Sequence, residues 1–150
     1  MTNSTNSRIC HQVIAIEQAT KSYLELAIQN RGTSLFADEK STKKQMRDYR
    51  AYSVRIAHLV SDFDASVTSL SQSVLQADNQ KDTVTLERSI TEFHACLHFR
   101  GTLVRLLEEN EQAIKSDGNP FPVSSIALRC QNILHEAQKL CQILKGDVAP

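Results

Sequence analysis

The sequence predicts an all-α protein, an antiparallel up-down-up-down four-helix bundle whose second and third helices form a long coiled-coil-like hairpin. Three observations carry this. From Met46 to Ala77 the seam residues alternate at spacings of three and four: Met46, Tyr49, Ser53, Ile56, Val60, Phe63, Val67, Leu70, Val74 and Ala77, with Ser53 the one plainly polar member. Such a heptad seam describes one helix roughly 50 Å long, and so narrow an apolar stripe is buried only against other helices. Glycine and proline number only 4 and 3 and gather at apparent helix ends, the punctuation of a helical chain. Finally, three further segments repeat the helical period with short connections between them, which makes neighbours antiparallel.

The first helix opens at Asn6 or Ser7, either of which caps an unpaired amide, and closes at Asn30-Arg31-Gly32. Its seam is Ile9, Val13, Ile16, Thr20, Tyr23 and Ala27. After a connection whose Leu35 and Phe36 tuck onto the bundle end, the second helix starts between Asp38 and Ser41 and runs to Asp78-Asn79. No glycine or proline marks the break at Asp78–Asp82. A turn is required there because one helix from the second start to Lys115 would exceed about 105 Å, too long for a compact domain. The third helix begins at Asp82 or Thr83 with the seam Leu86, Ile90, Phe93, Leu97, Arg100, Val104, Leu107, Glu111 and Ile114, and the Ser116–Pro122 stretch ends it. Ser124 or Ser125 caps a fourth helix with the seam Val123, Ile126, Cys130, Ile133, Ala137, Leu140 and Leu144, closed by Gly146. The chain thus divides into a disordered tail 1–6, one bundle domain 7–146 and a tail 147–150.

At 150 residues the chain buries roughly 70% of its unfolded surface, enough for one core without disulfides or metal. Seventeen basic residues balance seventeen acidic ones, so no net field draws the protein to nucleic acid or an anionic membrane. No run reaches the ~18 apolar residues of a membrane span, and the polar start at Met1–Ser7 has no signal-peptide core. Cys10, Cys96, Cys130 and Cys141 lie within helical patterns and form no Cys-x-x-Cys pair; they read as small core residues in a reducing cytoplasmic compartment. Cys10 and Cys141 fall at the same end of the bundle.

Unequal helix lengths suggest a site. The first and fourth helices are too short to cover the hairpin, so its tip, Val67 to Ile90, is expected to project. Leu70, Val74, Leu75, Leu86 and Ile90 then need a protein partner or a second copy to cover them. The third helix is apolar on two stripes, which adds Phe99, Leu103 and Leu106 to this partner surface, while Gly101 permits close approach of another backbone. Lys40, Lys43, Lys44, Arg47 and Arg50 make a basic face at the start of the second helix. That end of a helix disfavours positive charge, so the face suits an anion or acidic partner, although Glu108, Glu109 and Glu111 come to the same end of the bundle and pairing with them is the expected explanation.

His94 and His98 stand one turn apart, the spacing at which two imidazoles share a metal ion, but His58 and His135 point away from the seam and no Glu-x-x-His pair accompanies them. His98-Phe99-Arg100-Gly101-Thr102 resembles the His-x-x-Lys-Gly pattern of histidine phosphotransfer bundles, with the basic residue and the glycine one position early. That slip turns the cation ~100° away from the imidazole. No cofactor is implied. The sequence therefore leads to a non-enzymatic interaction module, an adaptor, chaperone-like factor or small subunit acting through its second and third helices. The alternatives are a histidine-dependent phosphotransfer protein or enzyme, and a metal- or ligand-binding sensor.

Overall fold

The computed structural model describes residues 3–32, 39–115 and 121–146. Leu35, Phe36, the Ser116–Pro120 connection and the 147–150 tail lie outside these residues, as does the side chain of Lys40. Four helices follow in order: α1 (Asn3–Gly32), α2 (Glu39–Asn79), α3 (Thr83–Lys115) and α4 (Val123–Lys145). Each packs on two neighbours, α1 and α3 both lying against α2 and α4, so the four rods stand at the corners of a square.

Three of the four seams are those the apolar spacing predicts. Ile9, Val13, Ile16, Thr20, Tyr23 and Ala27 are buried on α1, and all seven seam residues from Val123 to Leu144 are buried on α4. On α2, Tyr49, Ile56, Phe63, Val67, Leu70 and Ala77 are buried, while Met46, Ser53, Val60 and Val74 are half-buried. Thr20 is accommodated in the core because its hydroxyl donates to the Ile16 carbonyl at 2.8 Å and lies 2.9 Å from the Tyr52 hydroxyl. With the threonine proton so committed, Tyr52 is the donor in the second bond.

On α3 the seam differs by one residue from the expected one. Ser89, Glu92, Cys96, Phe99, Leu103, Leu106 and Asn110 face the core, whereas Leu97, Arg100 and Glu111 are exposed and Phe93, Val104, Leu107 and Ile114 are half-buried. Two apolar stripes lie side by side on this helix. The one that turns inward carries three polar residues and the richer one flanks it. The inward choice is supported at the tip-proximal end by Asn6, whose amide Nδ2 donates across the bundle to Oε2 of Glu92.

Asn6 is therefore an interior helical residue. α1 begins at Asn3, earlier than the Asn6 or Ser7 start expected, because a buried asparagine with a carboxylate partner extends the ordered core toward the terminus. The expected Ser124 or Ser125 cap of α4 is also corrected: α4 starts after Pro122, with no side-chain cap. The chain is fixed there by burial of Phe121, whose ring lies 6.0 Å from that of Tyr49, and of Val123.

The break between α2 and α3 is a turn, made without glycine. Lys81 adopts the left-handed conformation at φ 55, and the Lys81 and Asp82 amides donate back to the Asp78 and Ala77 carbonyls at 3.1 and 3.2 Å. This is the paired 5→2 and 6→1 closure of a helix C-terminus. Asp82 then caps α3 at once, accepting from the Thr85 amide at 3.2 Å and the Thr85 hydroxyl at 2.7 Å. Those bonds hold its carboxyl below the usual carboxylate range.

A candidate interaction surface on the α2–α3 hairpin

Heights along the bundle follow from three contacts near the tip. Arg8 of α1 bonds Ser66 of α2 at 3.2 Å, Asn6 bonds Glu92 of α3, and the Arg88 guanidinium lies beside Gly146, which closes α4 in a left-handed cap. The described ends of α1 and α4 thus stand level with residues near Leu70 and Arg88. Beyond them the α2 residues after Leu70 and the α3 residues before Arg88 continue to the turn, about 13 Å on α2 and about 8 Å on α3. The projecting segment is shorter at both ends than the expected Val67–Ile90, since Val67 and Leu70 are enclosed by the chain itself.

This tip is apolar. Leu75 is 64% and Val84 78% exposed, Ile90 at its base is 38% exposed, and Val74 and Leu86 are half-buried between the two helices. A strip continues from it along α3. Ile90, Leu97 and Val104 recur at seven-residue intervals one position round from the core seam, with Phe93 and Leu107 beside them. Arg100 interrupts the strip, its Nε donating to Asp64 Oδ1 of α2 at 2.6 Å. That bond shows which flank this is, the outer edge where α3 meets α2. The facing α2 wall is small and polar, and its hydroxyls turn back on their own helix: Thr68 donates to the Asp64 carbonyl at 3.0 Å and Ser71 to that of Thr68 at 2.6 Å.

Of the eight residues expected to meet a partner, the structure divides the set. Leu75, Leu86, Ile90 and Val74 lie at the tip or its base. Leu70, Phe99, Leu103 and Leu106 are core residues, Phe99 meeting Phe63 edge-on at 5.6 Å; they are not surface. Having two stripes on α3 explains the exchange, for the residues taken as surplus are the buried ones.

The basic face at the start of α2 is exposed at Lys43, Lys44, Arg47 and Arg50. Of the three α3 glutamates expected to pair with it, Glu109 has partners elsewhere. Glu109 accepts from Arg129 of α4 at 3.2 Å and from Arg105 at 3.0 Å, and these bonds keep its carboxyl below the ordinary range. Bundle geometry brings Glu109 to the α4 side of α3, away from α2.

His94 and His98 line an open groove of about 240 Å³ between α3 and α4, with Glu136, Lys139, Leu140 and Ile143 on its far side. His98 Nε2 stands 3.6 Å from Glu136 Oε2, beyond hydrogen-bond distance, and Lys139 Nζ lies 4.0 Å from the other oxygen. Among the described residues no three His, Cys, Asp or Glu side chains converge in a way that could hold a metal ion. A second groove, about 450 Å³ between α1 and α2, is lined by Ser22, Tyr23, Asp48, Tyr52 and Arg55 among others; no motif or spacing pointed to it.

Glu92 is one of the three polar residues of α3 that apolar spacing passes over. It is enclosed, and its burial pushes the carboxyl up against the opposing pull of Arg88, 3.9 Å away, and Asn6. Cys10 and Cys96 lie close enough to it to feel its charge, and Cys10 and Cys141 share a hydrogen bond at the same end, which places that expected pair together. All four thiols are free. Desolvation raises each, Cys96 and Cys130 to about 12 and Cys141 to about 11.

No helix among the described residues is long and apolar enough to cross a membrane. Comparison with protein-family models finds no match, and comparisons with curated proteins and with solved structures find none either.

Proposed function

We propose that this chain is a non-enzymatic helical-bundle interaction module, an adaptor or small subunit that docks a protein partner on the projecting tip of its α2–α3 hairpin. The observation that carries this reading is the tip itself. Leu75 and Val84, two of the eight exposed large apolar residues among those described, lie on it, with a third, Ile90, at its base. An amphipathic partner helix laid over two antiparallel helices would bury them.

Leu75→Glu and Val84→Glu test the proposal. Both sites face solvent, so helix content and thermal midpoint should hold, while capture of a partner from the native source by the tagged chain should be lost. Variants that unfold the chain, or that retain every captured protein, overturn it. A second reading gives His94 or His98 a phosphotransfer role in the α3–α4 groove, supported by the exposure of His98 and the nearness of Lys139. Acid-labile phosphorylation abolished by His98→Ala would establish it.

A further inference from the structure

Gly101 stands in the middle of α3, where a glycine costs helix stability relative to alanine, yet the bundle does not call for it. It is exposed, and a Cβ at this position would meet nothing within 4 Å. Its neighbours one turn away are Leu97, 43% exposed, and Val104, half-buried. An apolar pair flanking a missing side chain is the surface on which a second helix backbone can approach closely.

The charges on the same outward line identify that helix. At seven-residue intervals α3 presents Glu87, His94, Gly101, Glu108 and Lys115, all exposed. Reversing this series about Gly101 sets Glu87 against Lys115 and His94 against Glu108. A line that becomes complementary to itself on reversal fits a two-fold axis, where residue i meets j and j meets i.

We propose that the protein forms a homodimer in which α3 crosses α3 of a second copy antiparallel, with the two Gly101 residues at the axis. Leu97 of each copy packs on Val104 of the other, and each end is closed by a Glu87–Lys115 pair. This surface is centred on Gly101 and meets the Leu75–Val84 tip only at Glu87, and the Leu75→Glu variant below separates it from the docking proposed above.

Sedimentation velocity of the full chain over a concentration series should show a reversible dimer of the 16.8 kDa chain. Glu87→Lys and Lys115→Glu should each weaken it about tenfold at low ionic strength, and the double variant should recover wild-type association within about threefold. Within one chain these residues lie 28 positions apart on a rigid helix, about 42 Å, so such rescue arises only between copies. Gly101→Glu should weaken the dimer by about a hundredfold or more with helix content unchanged, and Leu75→Glu should leave it intact. A chain that stays monomeric up to about 1 mM, a dimer indifferent to Gly101→Glu, or a double charge swap without rescue would each overturn the proposal.

Discussion

Among the described residues Glu92 is the carboxylate the fold takes most completely out of water, and its surroundings compensate only in part. Asn6 satisfies one oxygen, while the other has no partner among the described residues. Burial raises the proton affinity of the folded chain above that of the unfolded one, whose reference lies at 4.5. The folded state therefore holds the proton more tightly, and stability falls as pH rises from that reference through the raised folded value. Glu92→Gln keeps the hydrogen bond from Asn6 and removes the charge. It should be more stable than wild type at neutral pH, by about 1.4 kcal/mol for each pH unit of elevation, with the advantage fading toward about pH 4. Urea denaturation across that range measures it; a difference that does not change with pH would refute the account. The thiols give a second check on residue environments. With all four raised, a disulfide reagent near neutral pH should label them only as the chain opens, the half-buried Cys141 first.

At the scale of the helix, α3 tests register directly. Leu103 is fully buried and its neighbour Val104 is not, so Leu103→Ala should cost about 2–5 kcal/mol and Val104→Ala about 1 kcal/mol or less in denaturant unfolding. The seam predicted from apolar spacing reverses that order. It fails on this helix alone because apolar residues occupy two adjacent stripes, and the inward one includes Ser89, Glu92 and Asn110. Pattern reasoning counts such residues as surface, and only the diagonal contact from Asn6 reveals otherwise. On α1, α2 and α4 one stripe dominates and the spacing sufficed. The α2–α3 turn was placed by a length argument, but its chemistry was hidden, since nothing in Lys81 announces a left-handed conformation. Lys81→Gly should relieve that backbone cost and stabilise the protein by about 1 kcal/mol, read as a higher denaturation midpoint.

For the whole molecule, unequal rods on a square plan mean unequal protection along the axis. Amides of Val74 to Glu87, backed by a single neighbouring helix, should exchange with solvent at lower opening free energy than those of the α1 and α4 seams, which deuterium exchange followed by mass spectrometry resolves. Uniform protection from end to end would mean that the tip is covered. The projection was legible from helix lengths, and its true extent was not, because the earlier start of α1 encloses Val67 and Leu70. The opposite half holds all of the protein's tyrosines. Tyr23 and Tyr52 stack at 4.7 Å and Tyr49 meets Tyr23 edge-on at 5.7 Å, and there is no tryptophan. Ultraviolet emission consequently arises from a single aromatic layer linking α1 to α2. A melt followed by that light watches one end of the rod, blind to any fraying at the other.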